Sequence, residues 1–182
     1  MNRKTRNLLR GANIWYLGEG MLGPLFAVFS EQIGGDVLNI SYAWAAYLFA
    51  SGILTIIVGW AADRFKYEKQ LMVLGYILNA AFTFSYLLVN NQRDLLLVQV
   101  GLGASGALAT PTWQKLYSKH ENRKKAGYTW GLADGDAKII TGFAIIIGGL
   151  LVTQLSFTSL FIVMGCIQTI AAIYQARILT MR

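Results

Sequence analysis

The chain has 182 residues, a formal net charge of +7, 55% hydrophobic but only 14% charged residues, and two prolines. So apolar a sequence leaves little for a soluble domain, and its basic residues are dispersed rather than gathered into a stripe that would hold nucleic acid. One cysteine, Cys166, excludes an intrachain disulfide and a metal cluster built on thiols.

Six apolar runs follow one another, over residues 11–29, 43–62, 71–89, 95–112, 128–153 and 157–176. Each is about the ~20 residues that a helix needs to cross a ~30 Å hydrocarbon core. The runs are continuous rather than alternating, so each predicts a membrane helix that satisfies its own backbone. The expected fold is therefore an all-α polytopic bundle of six transmembrane helices filling residues 1–182. An N-terminal signal peptide fits poorly, because Glu19 interrupts the first run and no small-x-small cleavage site follows.

Charge sets the expected orientation. Arg3, Lys4, Arg6 and Arg10 precede run one, and Arg64, Lys66 and Lys69 lie between runs two and three. Lys115, Lys119, Arg123, Lys124 and Lys125 lie between runs four and five, while Arg177 and Arg182 follow run six. The opposite gaps hold only Arg93. The positive-inside rule then places both termini in the cytoplasm and the protein in the inner (plasma) membrane, its basic face toward anionic lipid. The longest inner segment, 115–126, is expected to be a loop.

Run one contains Gly18, Gly20, Gly23 and Pro24, and run four contains Gly101, Gly103, Gly106 and Pro111. Interruptions at matching positions point to two three-helix repeats, 1–90 and 91–182, joined by the outward loop 90–94. Run four also carries two rows at four-residue spacing: Gly101, Ser105 and Ala109, and Gln99, Gly103 and Ala107. Small residues at that spacing let backbones approach closely, so run four is expected at the centre of the bundle.

Few ionisable groups lie within the runs. Glu19 is nine residues past Arg10, hence roughly 14 Å deep at ~1.5 Å per residue. A charge there costs at least ~2.5 kcal/mol, so Glu19 should face a cavity or be protonated, and it is the candidate for proton coupling or for a cationic substrate group. Asn79, Gln99 and Gln168 are further candidates for the pathway, although interhelical hydrogen bonds of ~0.6 kcal/mol explain buried amides equally well. Asp134 and Lys138 have the favoured i,i+4 order for an intrahelical pair near the inner end of run five. They are either a headgroup-level pair or part of a cytoplasmic gate.

The segment from Gly59 to Leu71 reads GWAADRFKYEKQL. It resembles the cytoplasmic motif joining helices two and three in the major facilitator superfamily: Gly59, Ala62, Asp63, Arg64 and Leu71 match. Lys66 stands at the later glycine, and Tyr67 and Glu68 replace the basic pair. Run four is similar to the same family at Gly103 and Pro111, with Gln99 where an arginine is usual. The resemblance implies a secondary transporter acting by alternating access, with Gly59, Asp63 and Arg64 in a cytoplasmic gate and Gly103 and Pro111 shaping helix packing or a kink. Members of that family have twelve helices in two halves, so this chain resembles the N-terminal half. A homodimer is the leading expectation, with a separately encoded second half or a truncated fragment left open.

An enzyme is disfavoured. Asp134-Gly135-Asp136 faintly resembles the start of a phospholipid-headgroup transferase motif, but no acidic residue follows Asp136 to complete a metal site. His120 sits in a basic segment without catalytic partners. No cofactor or metal is expected; lipid and a small solute are the expected partners. The alternative reading is a membrane scaffold or regulatory protein that transports nothing.

Overall fold

The computed structural model describes residues 3–121 and 123–180, so Arg182 of the basic set lies outside it. Among the described residues there are helices and no strands. Run one folds as two pieces, α1 (Arg3–Gly20) and α2 (Leu25–Gln32). Then come α3 (Val37–Arg64), α4 (Glu68–Ser85), α5 (Gln92–His120), α6 (Ala126–Gln154) and α7 (Phe157–Ala176). Five segments are long and apolar enough to cross a membrane: Val37–Arg64, Glu68–Leu88, Gln92–His120, Ala126–Gln154 and Phe157–Leu179.

The first run thus departs from a single unbroken span. Gly20, Gly23 and Pro24 cluster at the break, and no side chain caps the start of α2. Pro24 itself keeps a helical backbone (φ −62°, ψ −23°). The chain therefore kinks where proline lacks its N–H, rather than looping out. Run four carries the same residue types, yet α5 continues through Pro111. A second departure concerns 115–126. Its first part, to His120, is not a loop: α5 runs on that far, because Leu116 and Tyr117 (1% and 0% exposed) bury an apolar stripe against the bundle. Lys115 and Lys119 are consequently helical residues.

α5 packs between α3 and α4, α1 packs between α6 and α7, and α4 lies against α7. Small residues make these approaches possible, since apolar surface gains little by leaving lipid. A side chain on Gly75 would meet the backbone of Ser105 and Ala109, and one on Gly103 the backbone of Tyr47. The two rows on α5 thus serve two neighbours, the first facing α4 and the second facing α3. On the other side Gly20 sits against Thr141 and Ala144, and Gly148 against the Met21 carbonyl. α3 and α6 are the outer helices: only 11% and 17% of their apolar windows are buried. Their exposed Phe49, Ile56, Phe143 and Ile146 suit contact with lipid.

At one end of the bundle the helices are capped by short polar side chains. Asp36 accepts from the Asn39 N–H, Asn91 from the N–H groups of Arg93 and Asp94, and Ser156 from that of Ser159. α2 leaves through Gly34, whose φ of 83° needs glycine. Ser30 and Gln92 exchange hydrogen bonds of 3.2 and 2.8 Å there, tying α2 to the start of α5. The other end carries Arg64, Lys115 and Lys119. Two apolar clusters fill the ends, one around Phe26, Phe29, Phe157 and Phe161, the other around Leu8, Trp15, Tyr76 and Tyr117. A polar layer separates them.

Candidate functional site

That layer consists of Asn79 from α4, Gln99 from α5 and Gln168 from α7, each no more than 2% exposed, with Glu19 at the end of α1. The four line one cavity of about 120 Å³. It lies in the half of the bundle away from the basic end, and the break after Gly20 brings Leu22, Gly23 and Phe26 into its wall. Trp44, Tyr47, Thr83, Tyr86, Leu102 and Met164 complete it. Glu19, unlike the amides, is exposed on an open face of the bundle.

Hydrogen bonds fix much of this layer. The Trp15 indole N–H, one helical turn before, donates to Glu19 Oε2. Gln168 Nε2 donates to the Trp15 carbonyl at 3.1 Å, locking α7 to α1. Tyr86 O–H donates to Gln99 Oε1 at 3.1 Å, and its ring stacks on Phe161 at 4.8 Å. Thr83 turns its hydroxyl back to the Asn79 carbonyl at 2.7 Å. Two amide atoms, Asn79 Nδ2 and Gln168 Oε1, have no hydrogen-bond partner among the described residues. Buried polar atoms left so are costly unless a ligand or water meets them.

A second, smaller cavity lies toward the basic end, lined by Ala12, Trp15, Tyr16, Tyr76, Ala109, Thr110, Trp113 and Gln114. Trp15 packs edge-on against Tyr76, ring centres 4.5 Å apart, and both are buried. Trp15 therefore touches both regions: its ring lines the inner cavity, while its N–H holds the carboxylate of the outer one.

The remaining sequence candidates are spread over the basic end. Asp63 accepts from Lys115 Nζ at 2.9 Å, and the same ammonium donates to the Ala62 carbonyl at 2.5 Å. Lys115 thus ties the C-terminus of α3 to α5 and satisfies a helix-end carbonyl. Arg64 instead lies over the Trp60 ring, 5.5 Å from its centre. Gly59 faces open space. Asp134 and Lys138 pair with each other at 2.5 Å, and Asp136 accepts from Asn13 at 3.4 Å. Sequence reasoning missed Lys115, Trp15, Trp44 and Tyr47. The four-residue spacing of Trp15 and Glu19 was a legible signal, whereas the pairing of Asp63 with Lys115 spans 52 residues and was not.

The comparisons with known proteins agree in kind with this architecture. The sequence profile of the Major Facilitator Superfamily matches residues 10–181. Two uncharacterized MFS-type transporters of Methanocaldococcus jannaschii are similar to the chain. One is 24% identical over 157 residues, covering 86% of this chain and 40% of the relative. The other is 29% identical over 62 residues, covering 34% of this chain and 16% of the relative. The chain therefore spans less than half the length of either relative. With a multi-pass helical bundle matched almost end to end by that profile, the chain belongs to the major facilitator superfamily.

Proposed function

We propose that this chain is one half of a secondary transporter that moves a small solute by alternating access. The observation that carries the reading is the single cavity lined by Glu19, Asn79, Gln99 and Gln168, with two amide atoms lacking a partner. Concave, mostly apolar sites with a few convergent polar groups are the usual form of small-molecule sites. α1 and α2 together form the first of six spans, and the basic end, with both termini, is cytoplasmic. The neighbour relations support two three-helix repeats, 1–90 and 91–182. Exchanging the first three spans for the last three turns α3 against α5 into α6 against α1. The same exchange turns α4 against α5 into α7 against α1, and returns α4 against α7 to itself. The open face bearing Glu19 is then covered by a second six-helix unit, with a second copy of the chain as the favoured one.

Asp63 and Lys115 close the cytoplasmic side in this state. Gly59, Arg64, Asp134 and Lys138 belong to the same gate, and the three charged residues among them change partners when it opens. Glu19 couples transport to a proton or to the solute's charge. The test is uptake by proteoliposomes over a solute panel, with and without a pH gradient. At least one solute should accumulate, and Glu19→Gln should abolish the effect of the gradient. Absence of uptake across the panel, with chain correctly inserted and paired, would favour a scaffold instead.

A further inference from the structure

The outer cavity has a one-sided electrostatic character. Among the described residues that line it there is one carboxylate, Glu19, and no lysine, arginine or histidine. The only hydrogen bond to that carboxylate given by the structure comes from a neutral indole. A carboxylate at this depth without a cationic partner calls for a positive charge from elsewhere. Part of the same wall is aromatic. Phe26, Trp44 and Tyr47 form a continuous row, with ring centres 5.9 Å apart between Phe26 and Trp44 and 5.6 Å between Trp44 and Tyr47. Trp44 is 51% exposed, so its ring keeps room for a guest. Phe26 belongs to α2, beyond the break after Gly20. Asn79 and Gln168 add one unpartnered amide atom each, from side chains at least nine-tenths buried.

Resting on the reading of this cavity as the transport site, we propose that its ligand is a small organic cation. Its ammonium group would meet Glu19 and the Trp44–Tyr47 rings, its apolar arm would face Leu22, Leu102 and Met164, and an attached polar group would be met by Asn79 and Gln168. An ammonium over an aromatic face is attracted by the ring quadrupole, and a carboxylate alongside adds the net charge. An anion would find no basic residue in the cavity and a carboxylate against it.

The experiment is calorimetric binding to the purified chain in a non-ionic detergent, using three probes of similar shape: benzyltrimethylammonium, benzyl alcohol and benzoate. The cation should bind saturably, the neutral probe at least about tenfold more weakly and the anion not at all; tenfold corresponds to about 1.4 kcal/mol. Glu19→Gln should weaken cation binding at least about tenfold, with unchanged elution on size exclusion. Trp44→Leu, at an exposed ring, should weaken it about threefold or more. Equal binding of cation and neutral probe, a preference for benzoate, no binding of any probe, or full cation affinity in Glu19→Gln would each overturn the proposal. Binding is read without transport. A chain that binds the cation but moves no solute would refute only the transport reading, and one that transports a neutral solute without binding the cation would refute only this one.

Discussion

Gly148 and Gly149 are neighbours on α6 with different surroundings. A methyl group on Gly148 would strike the backbone of Met21, while one on Gly149 would meet nothing within 4 Å. Gly148→Ala should therefore push α1 from α6 and lower stability by about 1–3 kcal/mol. Gly149→Ala should be neutral, or stabilising by up to about 1 kcal/mol through helix propensity. Thermal unfolding of the two variants side by side checks this, and equal midpoints would contradict the close approach. At the start of α3, Asp36 caps the helix, and the N–H of Asn39 holds its carboxyl below the usual aspartate range. A depressed value means that the cap stabilises above the ordinary aspartate value and is lost as pH falls through the lowered one. Asp36→Ala should lower the unfolding midpoint at pH 7, and the two proteins should converge in strong acid; a gap that persists there would contradict the assignment. Lys115 is the third such residue. Lys115→Met removes both its bonds at the end of α3. It should cost about 1 kcal/mol and speed hydrogen exchange near Ala62. Arg64→Ala should leave that exchange near wild type while slowing transport, because Arg64 rests on Trp60 here. Glu19 and the amides Asn79, Gln99 and Gln168 were legible in the sequence because polar groups in apolar runs stand out. Lys115 was not, because its partners are set by how α3 and α5 cross.

At the scale of elements, each long helix from α3 to α7 overlaps the apolar run that predicts it. α7 spans the same residues, 157–176, as the run that predicts it. What hydropathy could not separate is a glycine that breaks a helix from one that packs it. Gly101 and Gly103 are occupied by close neighbours in an unbroken α5, whereas Gly20 and Gly23 flank a true kink. Pro24 is decisive only together with those glycines; Pro111, amid a well-packed stretch, leaves α5 continuous. Proline, by lacking the N–H and fixing φ, turns α2 so that Phe26 reaches Trp44. Pro24→Ala should straighten the segment, withdraw Phe26 from the aromatic row and reduce uptake by at least about tenfold while membrane insertion persists. Uptake at the wild-type rate would show that the break does not build the site. The inner end of α5 was missed for a related reason: Leu116 and Tyr117 are too sparse for a hydropathy window but bury a whole helix face.

For the whole molecule, the arrangement is two apolar clusters with a polar layer between them, approached from each side by a cavity. The Trp15–Tyr76 contact stands between the cavities, and Trp15 is bonded to the one carboxylate of the outer cavity. A group bound at Glu19 would compete for that carboxylate and free the indole, giving a direct route from occupancy of one cavity to opening toward the other. The all-helical, multi-pass character and the polar layer were readable from the chain because lipid allows few backbone solutions and makes buried amides conspicuous. The aromatic wall was not, since Trp44 and Tyr47 resemble ordinary membrane-interface residues until α2 folds over them. Alternating access makes one demand that needs no knowledge of the solute: the outer cavity must be reachable from both sides of the membrane in turn. The direct measurement is labelling of Leu102→Cys, in a Cys166→Ser background, by a membrane-impermeant maleimide in right-side-out and inverted vesicles. The account predicts labelling from both sides, with a shift toward the cytoplasmic side when Lys115→Met loosens the inner closure. Labelling from one side alone, unchanged by Lys115→Met, would contradict it.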